Sequence, residues 1–115
     1  MSIPSEIQFL IERLNLELEI TEGEANEGLN LVRPILSTFP NNVRLVQFIA
    51  LFNNGLLFVE ISRRRIQAIA ERLDAPDITK AEIDEAGEDL GILLGQCLEA
   101  KIRGKRILSI LQDLS

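Results

Sequence analysis

Apolar and small residues recur along this chain with a seven-residue period in three successive stretches. In the first, one row is Ile7, Leu14, Thr21, Gly28 and Ile35, and a second is Ile11, Leu18, Ala25, Val32 and Phe39. Alternating spacings of 4 and 3 keep both rows on one face of an α-helix, where side chains three and four apart are neighbours. The second stretch carries Leu45, Phe52, Val59, Ile66 and Leu73 beside Ile49, Leu56, Arg63 and Ala70, with Arg63 the single break. The third pairs Ile83, Leu90, Cys97, Gly104 and Leu111 with Gly87, Leu94, Lys101 and Leu108; Ala86, Leu93, Ala100, Ile107 and Leu114 run alongside.

Proline separates the stretches. Pro4, Pro40 and Pro76 stand 36 residues apart, and each precedes residues suited to a first helical turn: Ser5, Asn41 or Asn42, and Asp77 or Thr79. Proline lacks the N–H that a helix interior needs but fits at its start. Ser, Asn, Asp and Thr accept bonds from the orphan N–H groups there. Thr79 with Glu82 spells a capping box, and Asp77, Glu82, Asp84 and Glu85 put negative charge at the positive helix end.

The predicted fold is all-α, one domain over residues 1–115: an antiparallel up-down-up bundle of three long helices joined by short turns. Helices of ~33 residues rising about 1.5 Å each would be ~50 Å long. Two features interrupt the first. Thr21 and Glu24 beside Gly23 form a second capping box, and a break there would give four helices. Pro34 removes the bond to the Asn30 carbonyl and predicts a kink.

The second stretch holds more apolar residues than one seam uses: Val46, Phe48, Leu51, Leu57, Phe58 and Ile61 lie outside it. A helix apolar around most of its circumference needs a cover. A homodimer is therefore expected, with Phe48, Leu51, Phe52 and Phe58 at its interface. Polar interruptions at Arg44, Gln47, Asn53, Asn54 and Glu60 argue for a buried helix rather than a membrane span.

Composition narrows the chemistry. Of 115 residues 46% are hydrophobic, which excludes a disordered chain; there is no His, Tyr or Trp and a single Cys. Without His or a second Cys there is no zinc site, thiol pair or Cys–His nucleophile. A lone thiol and the absence of a leader-like pattern in MSIPSEIQ lead to an expected cytoplasmic location. The net charge of −6 disfavours nucleic acid.

Four groups of residues invite a functional reading. Gly87, Gly91 and Gly95 form a stripe whose helix-propensity cost calls for close packing or a groove. In the cluster Arg63, Arg64 and Arg65, Arg63 lies level with Asp89 and Arg65 with Gly87 when the chain is folded about Pro76, and Arg63 lies level with Glu17 when it is folded about Pro40. They form either an ion-pair layer or an anion pocket. Lys101, Arg103, Lys105 and Arg106 make a basic run expected at one end of the bundle with Arg33 and Arg44. Glu82, Glu85, Glu88 and Asp89 form a carboxylate ridge able in principle to hold Mg²⁺.

The phrase EAGEDLGILLGQ resembles a stretch of the all-α nucleotide pyrophosphohydrolases of the MazG type. Their chemistry needs acids from two facing helices. The second stretch offers only Glu60, with no carboxylate at the required offset. No catalytic residue, metal site or cofactor is assigned. The expected function is a non-catalytic interaction or assembly module working through helix faces, with self-association or a protein partner and no membrane. The competing expectation is a small metal-dependent nucleotide enzyme or anion-binding regulator using the ridge and Arg63–Arg65.

Overall fold

The computed structural model describes residues 3–114. They form three helices packed against one another, α1 (Ser5–Thr38), α2 (Val43–Leu73) and α3 (Lys80–Leu114), with no strand among the described residues. The particle is a rod of 59 × 18 × 16 Å. Neighbouring residues fix the helix directions. Gly28 sits against Phe52 and Gly55 beside Ala25, so α1 and α2 run oppositely. Ile7 lies beside Gly87 and Glu17 meets Lys101, so α3 runs the same way as α1.

The helix ends show why the chain turns where it does. Asn42 caps α2, its side-chain oxygen accepting the Leu45 N–H at 3.1 Å. Thr79 Oγ1 accepts the Glu82 N–H at 3.2 Å and donates to Glu82 Oε1 at 3.2 Å. The capping box therefore closes between side chains. Ser5, in contrast, is the first helical residue and not a cap; the Pro4 carbonyl accepts the Gln8 N–H at 2.9 Å and opens α1 without a side-chain cap.

Helix α1 is continuous through both Gly23 and Pro34, which removes the four-helix alternative. Thr21 does not cap a new helix. Its hydroxyl donates back to the Glu17 carbonyl at 2.9 Å inside the existing one.

The heptad rows form the core. Ile7, Ile11, Leu14, Leu18, Ala25 and Val32 of α1 are buried, as are Leu45, Phe52, Val59, Ile66 and Leu73 of α2. Burial falls into two clusters. One joins Ile7–Leu18 to Val59, Ile66, Leu73 and the Ala86–Cys97 segment; the other joins Ala25, Leu29 and Val32 to Leu45, Phe48, Phe52 and Leu111. At the level between them the three helices offer Thr21, Gly55, Ala100 and Gly104. Small side chains there leave a waist in the rod.

Phe48 and Phe52 correct the expected interface. Both are buried in the protomer's own core, Phe48 beside the heptad rows because the buried stripe of a bundle helix is wider than two rows. Phe52 lies over Gly28, whose missing Cβ makes room for the ring. Phe58 is half-buried against the first cluster. Of the expected interface set only Leu51, 45% exposed, stands at the surface.

Candidate functional site

Charge and space converge at the waist. Glu17, only 5% exposed, lies on the side of α1 that meets α3. Its Oε2 is 2.7 Å from Lys101 Nζ, and its Oε1 is 3.7 Å from Arg13 Nε one turn earlier. The ammonium is close but off-line, so Oε2 has a charge partner and no aligned hydrogen-bond donor. A buried carboxylate is tolerable only with such a partner. Cys97, fully buried nearby, has its thiol pushed up to about 11, first by burial and then by the Glu17 charge.

Two turns along, Glu24 brings a second carboxylate. Its Oε1 is shielded from solvent and receives no hydrogen bond. Burial raises its pKa, and Lys105 and Lys101 oppose that rise. Glu24 lines a cavity of about 310 Å³ between α2 and α3 with Thr21, Phe52, Phe58, Gly104 and Ile107. The cavity exists because α2 packs more extensively on α1 than on α3, and because Gly55, Ala100 and Gly104 leave the gap unfilled.

On the opposite side of the waist Arg63 makes a forked pair with Glu22, at 2.8 and 3.4 Å. Asp89 and Glu17, its expected partners, stand on other faces. Between α1 and α2 the level was right and the rotation about the helix axis was not; α3 is also displaced along the rod, with Lys101 rather than Asp89 at the level of Glu17. Arg64 pairs with Glu60 one turn back along α2. Arg63 and Arg64 border one open surface pocket together with Glu22 and Glu60, the carboxylates that pair with them, and Arg65 is not among its lining residues.

The glycine stripe is not a packing seam. A Cβ at Gly87 would meet Ile7 Cδ1 at an ordinary 3.8 Å, and one at Gly91 or Gly95 would meet nothing within 4 Å. The close-packing glycine is Gly28, which the heptad row contained without marking it as special. The basic run is likewise divided: Lys101 is taken by Glu17, Arg103 borders the cavity, and Lys105 and Arg106 are exposed. Among the described residues no three acidic or thiol side chains gather to hold a metal ion, so the ridge of Glu82, Glu85, Glu88 and Asp89 offers no centre.

Sequence reasoning missed Glu17–Lys101. A signal was present, since Lys101 occupies a core row and a lysine there requires a buried acid at its level. The apolar surplus expected on α2 is exposed at Val46, Leu51, Leu57 and Ile61, with Val43 joining it at the start of the helix. No ionisable side chain occurs between Leu45 and Val59. By length and composition α2 is the one helix among the described residues apolar enough to cross a membrane, and 28% of its most apolar window is buried in the bundle.

These features define an all-α, three-helix protein with a polar waist. No protein-family model, no curated protein and no solved structure matches the chain.

Proposed function

We propose that the protein is a non-catalytic interaction and assembly module of the cytoplasm, working through the outer face of α2, with a second copy of itself as the first partner. One observation carries this reading: the solvent-facing side of α2 is free of charge over the span that exposes Val46, Leu51 and Leu57, with Gln47, Asn53 and Asn54 exposed among them. Large apolar side chains exposed along one uncharged helix face offer a docking surface, because covering them recovers roughly 25 cal/mol for each Å² of apolar surface removed from solvent. The waist ion pairs Glu22–Arg63 and Glu17–Lys101 link α1 to α2 and to α3. The carboxylate ridge, with no three ligands gathered, gives the metal-dependent alternative no comparable support.

Sedimentation at micromolar concentration tests the proposal. The wild-type protein should run at about twice its 12.9 kDa chain mass. Leu57→Glu and Ile61→Glu should each give a folded monomer, because both side chains are outside the core. A wild-type monomer that floats with lipid vesicles would replace self-association with membrane binding. A monomer that does neither would leave the face without the role assigned to it.

A further inference from the structure

We propose that the waist cavity between α2 and α3 is a binding site for a small, neutral, largely apolar molecule carrying a hydroxyl donor, of the phenol or alkanol class, with Glu24 as its polar anchor. The inference is distinct from the assembly role, since of the residues named for the outer face of α2 only Leu51 also borders the cavity.

The size is adequate. At about 310 Å³ the space is roughly twice the ~150 Å³ that suffices to hold benzene in an engineered apolar cavity. Its walls are mainly apolar, with Leu51, Phe52, Phe58 and Ile107 on two helices and Ala25 beneath, and Asn54 and Arg103 add polar groups at its border. Such sites take their affinity from the walls and their orientation from a few polar groups.

The chemistry of the occupant follows from the polar group that lacks a partner. Glu24 Oε1 is buried and accepts nothing from the protein. An unsatisfied buried acceptor is costly, and a ligand that donates to it removes that cost. Cation and anion are both disfavoured as the donor's charge state. Lys101 and Lys105 already act on Glu24, so an ammonium ligand would enter a field that contains two like charges. A carboxylate ligand could meet Arg103 at the border, but it brings only acceptors and would stand beside Glu24 itself. A hydroxyl meets the requirement without either conflict.

The space is also maintained by glycine. A Cβ at Gly104 would meet nothing within 4 Å, and one at Gly55 would only touch Ala25 Cβ at 4.0 Å. Larger residues fit both positions, at the expense of the cavity rather than of the helices.

Titration of the isotope-labelled wild-type protein with para-propylphenol and with para-propylanisole, followed by NMR, tests the assignment. The two probes share an apolar body and differ in the donor. Saturable shifts at Ala25, Gly55 and Gly104 are expected with the phenol, and the anisole should bind about tenfold more weakly. Glu24→Leu should bring the two probes to equal affinity. Gly104→Leu should abolish both titrations, and Ala100→Leu provides the same obstruction if that variant does not fold. Absence of saturable phenol binding to the wild type overturns the proposal. So does a phenol preference that survives in Glu24→Leu. Loss of self-association with intact phenol binding would count against the α2 interface alone.

Discussion

The ring of Phe52 occupies the volume that a Cβ on Gly28 would fill. An added methyl would lie closer to the ring's Cζ and both Cε atoms than real Cβ atoms approach a neighbour. Phe52 is itself buried, so the ring has little room to retreat. The contact fixes α1 against α2 at one level, and the cavity begins one turn earlier along α1, at Glu24 and Ala25. Gly28→Ala should therefore destabilise the protein by about 1–3 kcal/mol, as overpacking does elsewhere. Urea unfolding measures it, and Phe52→Leu in the same chain should recover part of the loss.

Gly91 and Gly95 should behave in the opposite way. Each is helical and exposed with open space where a side chain would go. Replacing either by Ala should stabilise by about 0.5–1 kcal/mol through backbone entropy and helix propensity. Thermal melting of the single and double variants checks this. A drop in Tm would mean that something closes on the stripe in solution.

Glu17 and Lys101 should prove unequal to their replacement as a unit. Lys101→Met leaves a buried carboxylate with only the distant Arg13 guanidinium, and should cost about 3 kcal/mol. Glu17→Met together with Lys101→Met should recover most of it, because the desolvation cost of both charges disappears. A double-mutant cycle by chemical denaturation gives the coupling.

Glu24 sets a pH dependence with a definite sign. Its pKa is raised above the ordinary 4.5, with burial the first cause. The native protein therefore holds this proton more tightly than the unfolded chain, and stability falls as pH rises from about 4.5 through the raised value. Glu24→Gln should melt higher than wild type at pH 7, and the advantage should vanish below pH ~4. Melting curves across that window test it.

The sequence was informative wherever a local rule decides. Heptad spacing selected Ile7, Leu14, Val59, Ile66 and Leu90 for the core, and Asn42 and Thr79 marked the helix starts. Pro40 and Pro76 marked the turns, and Pro40 also the level at which α1 faces α2, whereas α3 is displaced so that Lys101 and not Asp89 stands level with Glu17. Rotation about each helix axis was not legible, because it depends on packing among all three helices at once. Arg63 therefore meets Glu22 and not Glu17, and Phe48 lies inside rather than out. The cavity was hidden for the same reason. Gly55 and Gly104 are unremarkable one at a time and make a void only when two helices bring them to one level beside Ala100.

Cys97 turns these properties into a clock for breathing of the rod. With no exposed sulfur and a thiol held at about 11, it should be silent toward disulfide reagents at neutral pH until the helices part. Its labelling rate in the native protein should then equal the rate or frequency with which the waist opens. A cavity occupant should slow that clock, and Gly28→Ala should quicken it. One sulfur atom thus gives each of the changes above a common readout in minutes or hours.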